Sequence, residues 1–305
     1  MFNEKHDERG RIMNVYLLAA AFGGGAFGAT IGALPSFIVS GLVAIIGAAC
    51  SMAGGTDFTA TYVAFGSFLG PHIAFAGGAA AAAFSYRRGK LESGKDIVTP
   101  INKIGDWLSI MVGGAFGALG YLFSFLFSEV CHLGGDIDPK LYTDICALSV
   151  VSVGAAARLI LGKTGLFGKY EKGEKRVFFS KKNGFITTCV FGAVLGLTVS
   201  GIGLYLKSVG ANVDAYPVLC FGIAAVGLVF MQMGFAYPPC HHIALPAATA
   251  ALMSGSVVIG TLVGLLCAVI GDFAGNLFNY KGDSHIDPPS FTLFIMTTII
   301  YVVWA

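Results

Sequence analysis

Charged side chains are scarce in this sequence: Asp, Glu, Lys and Arg make up 12% of its 305 residues, against roughly a quarter in soluble domains. So little charge cannot clothe a water-soluble surface, which excludes a soluble enzyme or binding module and places the chain in lipid. The net charge of +2 is too small and too dispersed to make a face for nucleic acid. Seven cysteines are scattered without a CxxC spacing, most of them inside apolar runs where a thiol acts as a small hydrophobe, so no disulfide framework is implied. The sequence also lacks GxSxG, HExxH, Walker and dinucleotide-binding fingerprints. Neither a catalytic residue nor a cofactor is expected, and the chain is not read as an enzyme.

What the sequence has in abundance is apolar length, with 55% hydrophobic residues. A helix needs about 20 apolar residues to cross a roughly 30 Å hydrocarbon core. Candidate spans fall at 13–33, 36–53, 104–127, 142–162, 185–206, 216–237, 256–280 and 290–304, so an all-α polytopic membrane protein of about eight crossings is expected. Residues 1–12, MFNEKHDERGRI, carry both signs of charge and run straight into an apolar stretch, which reads as a retained cytoplasmic tail rather than a signal peptide.

Lysine and arginine sort into three segments: three in the tail, five from Arg87 to Lys103 and eight from Arg158 to Lys182, leaving only Lys140, Lys207 and Lys281 elsewhere. Basic segments stay on the cytoplasmic side, which puts both termini in the cytoplasm of a cell whose inner or plasma membrane holds the chain. Residues 58–85 then have to enter and leave on one face. Gly70 and Pro71 interrupt them midway, so a broken re-entrant hairpin is expected there.

Laid on itself at an offset of 170, the chain matches GPHIAFAGGAAAAA from Gly70 with CHHIALPAATAALM from Cys240. A second echo, GDIDPKLYT from Gly135 against DSHIDPPSFT from Asp283, has an offset of 149, and one insertion near 86–106 reconciles the two. The expected organisation is a tandem pair of parallel repeats, 13–162 and 185–305, joined by a basic cytoplasmic linker at 163–184, with a second re-entrant element near 238–254. Gly-rich stretches such as AAFGGGAFGATIGA read as helix-packing surfaces; they also permit a homo-oligomer.

Broken helices at membrane depth survive only where protein or water satisfies their backbone, so the breaks point to a polar pathway. Gly70, Pro71 and His72 mark the first break, and Cys240, His241 and His242 the second, with Gln232 as a weaker lining residue. His72 and His242 occupy matching positions and are the first choice for solute contact. Cys240, His241 and His242 resemble metal ligands, but consecutive helical residues point about 100° apart and no HxxxH spacing supplements them. Asp272 shares a helical face with Asn276, four residues on, and is a candidate for a coupling ion, although it lies only about eight residues from the loop read as external. Asp57 reads mainly as a helix cap with a minor coupling role. Asp138 before Pro139 and Asp287 before Pro288 read as helix starts, and His285 as a solvated loop residue.

The expected function is a membrane transporter or channel for a small anion or neutral polar solute, with membrane lipid as its other partner. One alternative is a transition-metal or cation transporter using Cys240, His241, His242 and Asp272. The others are an intramembrane enzyme with a histidine base and a membrane assembly subunit.

Overall fold

The structure, a computed structural model, describes residues 13–131 and 143–304, and every regular element among them is helical. The tail at 1–12 and the Asp138–Pro139 step lie outside the described residues. Four helices are long and apolar enough to cross a membrane: Ala33–Met52, Trp107–Val130, Lys182–Ser208 and Val257–Asn279. Shorter apolar helices cover Val15–Ile31, Ile145–Leu161, Tyr216–Gln232 and Pro288–Trp304. These eight segments coincide with the eight apolar runs of the sequence to within a few residues.

In chain order, α1 is Val15–Ile31 and α2 is Ala33–Met52; a π-helical turn at Thr59–Ala64 precedes α3, Ala74–Arg87. The short α4, Ile101–Ile104, leads to α5, Trp107–Val130, and α6, Ile145–Leu161. The second half holds α7 (Lys182–Ser208), α8 (Tyr216–Val226), α9 (Val229–Gln232), α10 (His241–Ser254), α11 (Val257–Ala274, extended by π-helical Gly275–Asn279) and α12 (Pro288–Trp304).

Local chemistry sets the helix ends. Asn14 caps α1 by accepting from the Tyr16 N–H at 2.9 Å, Asp144 caps α6 through the Ala147 N–H at 2.8 Å, and Ser256 caps α11 through Ile259. Gly32, at φ 100°, turns the chain from α1 into α2 with no intervening loop, a backbone conformation that glycine reaches without strain.

Glycine also sets the packing. α1 runs antiparallel to α5, and a Cβ on Gly25 would stand 2.2 Å from the Gly113 carbonyl oxygen. α3 lies in the same crossing, where a Cβ on Gly28 would meet the Ala74 oxygen at 1.9 Å. In the second half α7 crosses α11 at Gly192, Gly196, Gly260 and Gly264, with α10 packed against both.

One end of the bundle gathers the basic segments. There the Leu34 N–H donates to the Ile97 carbonyl at 2.8 Å, Arg87 to Ile160, and Lys95 to Asn279. Asp106, buried beside Arg88 and Lys90 at 3.3 Å each, also lies at this end. Burial pushes its carboxyl up, but the Ser109 hydrogen bond and the two cations outweigh that and hold it below the usual carboxylate range. Arg158, fully buried, donates to Ser284 Oγ at 2.6 Å and to the Phe278 oxygen at 2.9 Å. These bonds bring the loop at 280–286 to the basic end as well. The loop after Asp272 thus shares an end of the bundle with the basic segments, whereas the sequence reading sets it on the opposite side.

The segment 58–87 does not fold back as a re-entrant hairpin. Its π-helical turn packs near Gly47 toward the far end of α2, Ser40 Oγ donates to the Leu69 oxygen midway, and α3 continues to Arg87 at the basic end. It runs from end to end as a broken helix, because the kink at Gly70–Pro71 bends the path without reversing it. The second broken segment also traverses the bundle. Gln232 reaches Val98 at the basic end, and α10 carries the chain away until Lys207 donates to the Leu252 oxygen at the far end. Parallel tandem repeats are not what forms either: α2 packs antiparallel on α8 and α6 antiparallel on α12, where parallel copies would keep one direction.

Gly120→Ala places a methyl 1.8 Å from the His72 carbonyl oxygen, backbone against backbone, and is expected to cost about 2 kcal/mol or more. Gly201→Ala, with nothing within 4 Å of the added carbon, is expected to be neutral or to stabilise by up to about 1 kcal/mol. Thermal unfolding of the two variants in detergent measures the contrast, and equal shifts would refute backbone contact as the packing limit.

Candidate functional site

The two breaks share one bonding pattern. At the first, Pro71 has no N–H to offer, and the Gly70 carbonyl accepts from Ile73 and Ala74 at 2.8 and 2.9 Å. At the second, Pro238 and Pro239 hold the chain out of helix, and the Cys240 carbonyl accepts from Ile243 and Ala244, both at 3.0 Å. Inside α10, Pro246 removes the donor that the His242 carbonyl would have met one turn on, so a second polar group lies near that break.

Two cavities flank the breaks from opposite ends of the bundle. The larger, about 530 Å³, reaches toward the basic end and is lined by residues including Leu34, Phe75, His242, Asp272 and Asp287. The smaller, about 400 Å³, reaches toward the far end past Pro71, Asp144, Cys146, Asp214 and Tyr301. Phe37 and His241 belong to the walls of both. Their rings stand 4.8 Å apart between centroids, with Phe75 and Phe221 at 5.7 and 5.8 Å from Phe37. An aromatic septum therefore separates the cavities.

The matched histidines do not meet at a common site. His72 is buried with its Nδ1 3.2 Å from Cys146 Sγ and lines neither cavity, whereas His242 lines the larger one. His241, the less favoured neighbour, takes the central position. Both His241 and His242 are about 5% exposed, and the Nδ1 of each has no hydrogen-bond partner among the described residues. Asp287 lies within electrostatic reach of both rings.

Of the other sequence candidates, Pro71 and Asp272 line cavities. The Asp272 carboxylate accepts from the N–H of Ser180 at 2.9 Å and from its hydroxyl, which ties the basic linker to α11. Gly70 serves the turn. Asn276 donates to the Asp272 backbone oxygen at 2.8 Å and Gln232 to Val98 at 3.2 Å; neither lines a cavity. Asp57 is exposed at the far end and accepts from the Thr61 hydroxyl at 3.0 Å, away from both cavities. Cys240 packs beside the Tyr237 hydroxyl, with Val199 and Ala244, rather than with the histidines. Among the described residues no group of three or more His, Cys, Asp and Glu side chains is placed to hold a metal ion.

The residues that sequence reasoning missed are Phe37, Asp144 and Cys146, and it read Asp287 as structural only. Asp287 does cap α12, accepting from the Ser290 N–H at 2.9 Å and hydroxyl at 2.6 Å, and also faces His285 Nε2 at 3.2 Å. The available signal was an acidic residue opening each last apolar run, Asp144 before Ile145 and Asp287 before Pro288.

The fold and cavities together define an all-helical protein with helices of membrane-crossing length around two buried, opposed cavities. By sequence the chain belongs to a family of unknown function, DUF7973, which it matches over residues 8–178 and 187–305. No curated protein and no solved structure matches it.

Cys146 lines the far cavity, while Cys267 is fully buried in α11 and lines neither. As the sole cysteine of the chain, Cys146 is expected to react with a small methanethiosulfonate at least about ten times faster than Cys267 does. Intact-mass kinetics read the difference, and equal rates would mean that the far cavity is closed to solutes.

Proposed function

We propose that the chain is an integral membrane transporter for a small solute, built from two halves of inverted topology. Each half makes five passes, one of them broken: α1, α2, 59–87, α5 and α6, then α7, α8–α9, 233–254, α11 and α12. α1 packs on α3 and α5 as α7 packs on α10 and α11. Across the halves, α2 pairs with α8 and α6 with α12, each antiparallel, as a two-fold axis in the membrane plane requires. The offset of 170 supports the same pairing, since the Gly70 and Cys240 carbonyls make equivalent bonds.

With the basic end in the cytoplasm, Asn14 and Trp304 fall on the opposite side. Both had been expected inside from charge counting alone.

The observation that carries the transport reading is the pair of cavities approaching from opposite ends and meeting at Phe37 and His241. An open pore has no such septum. Alternating exposure of a central site, by rocking one half against the other, accounts for both cavities. Their walls carry Asp272 and Asp287 on one side and Asp144 and Asp214 on the other, with no lysine or arginine among the described residues. That charge pattern favours a cation or neutral polar solute over the anion first expected.

Two measurements test this. In proteoliposomes, wild type is expected to accumulate a cationic or neutral polar solute from a panel and His241→Leu to lose most of that flux while remaining folded; undiminished flux in the variant would remove His241 from the path. For the topology, Cys50, exposed at the far end, is expected as sole cysteine to react with an impermeant maleimide added to intact cells. Cysteine at Arg88 is expected to stay protected until the membrane is permeabilised, and the reverse result would invert the orientation.

A further inference from the structure

The larger cavity is lined mainly by apolar side chains, among them Leu34, Phe37, Phe75, Phe191, Leu228 and Met231. Its 530 Å³ falls within the roughly 300–1,000 Å³ of small-molecule sites. A bare inorganic ion is poorly served there: a hard divalent cation takes about six or more oxygen ligands, and no cluster of three or more ligating side chains occurs among the described residues. An anion would face two carboxylates with no lysine or arginine among the described residues of the walls. A sugar or polyol would leave most of its hydroxyls against hydrocarbon, unpaired.

The polar groups of the cavity wall are Asp272, Asp287 with His285 beside it at 3.2 Å, His241, His242 and the hydroxyls of Thr187 and Thr188. Asp272 has no cationic partner among the described residues, and Ser180 occupies only two of the roughly four acceptor positions of its carboxylate. The Nδ1 atoms of His241 and His242, on side chains about nineteen-twentieths buried, have no partner among the described residues. Phe37 and Phe75, 5.7 Å apart between centroids, present aromatic surface to the same space.

We propose that this cavity binds a monovalent organic cation with an apolar body, with Asp272 and Asp287 countering its charge and the Phe37–Phe75 wall packing its body. This deepens the transport reading by naming the solute class, and rests on it for the claim that the bound cation is carried across. The site is large enough for an ammonium or phosphonium ion bearing several rings. The far cavity, with Asp144 and Tyr301, would then receive the same ion after the halves rearrange.

The test is equilibrium binding of radiolabelled tetraphenylphosphonium to the full chain in nanodiscs, with empty nanodiscs subtracted and neutral triphenylphosphine oxide as competitor. Saturable binding of one ion per chain is expected, with the neutral competitor at least about tenfold weaker. Asp272→Asn, which keeps the Ser180 contact, is expected to weaken binding about tenfold or more; if that variant does not fold, Asp287→Asn, which preserves a helix cap, takes its place. Absence of saturable binding, equal competition by the neutral compound, or unchanged affinity in the aspartate variant would each overturn the proposal. Binding without uptake into proteoliposomes would keep the site and remove the transport reading. Uptake of other solutes without tetraphenylphosphonium binding would do the reverse.

Discussion

Backbone contact between helices at glycine is the constraint on which the rest of this structure depends. Inside a membrane, helices gain little from hiding apolar side chains, because lipid is equally apolar; close van der Waals approach has to hold them together. The α1–α5 crossing at Gly25, Gly113 and Gly117 and the α7–α11 crossing at Gly192, Gly196, Gly260 and Gly264 supply that approach. Each also leaves a groove shallow enough for a third helix. α3 enters the first through Gly77, where a Cβ would meet the Gly113 oxygen at 2.5 Å, and α10 enters the second, its Ala247 oxygen against Gly260. The broken helices are held by these grooves, so their interrupted ends have fixed positions beside the cavities.

A break within the hydrocarbon region exposes backbone groups whose desolvation costs several kcal/mol each. Local bonds answer part of that cost: the Gly70 and Cys240 carbonyls each take two N–H donors, and Ser40 reaches the Leu69 oxygen from the neighbouring α2. Pro246 works the other way, removing a donor just where His242 meets the larger cavity. Of the buried polar atoms without partners among the described residues, the Nδ1 atoms of His241 and His242 lie at that break and on the wall of that cavity. The second break thus brings unpaired polar atoms to a cavity wall.

Hydrophobic length alone made the eight apolar helices legible in the sequence; the Gly70–Pro71 interruption located the first break, and the internal match at an offset of 170 located the second. The direction of the broken segments was not legible. Charge counting grouped Arg158 with the basic linker, and the structure gathers both at one end of the bundle, but it counted the N-terminal tail on the same side and so required residues 58–85 to double back. The contacts of Gly47, Ser40 and Arg87 show a traverse instead. The site was half legible: the second break was found, but His241 was ranked below His242, since sequence matching favours the residue with a partner in the other half. Phe37 had no signal, because one phenylalanine in an apolar helix is indistinguishable from its neighbours until the ring opposite it is known. Asp144 was overshadowed by Asp138, which shares the Asp-Pro step of Asp287.

The two cavities are not equivalent, and the difference traces to Arg158. Its guanidinium is wrapped by the Phe278, Ser284 and Leu166 backbone oxygens and by Asn279 Oδ1, with Asp283 at 3.7 Å. That shell fixes the loop that ends in His285 and Asp287, so the position of the carboxylate in the larger cavity is set by a buried cation more than one helix away. Removing one partner of such a buried charge typically costs 3–5 kcal/mol, because the other is left uncompensated. Asp144, the corresponding cap in the smaller cavity, is instead positioned by its own backbone bond to Thr297 and by Ala147. Hydrogen bonds contribute about 1 kcal/mol each, and up to about 3 kcal/mol where a carboxylate accepts. The basic-end cavity is thus braced through a buried guanidinium, and the far-end cavity through the hydrogen bonds of the α6 cap.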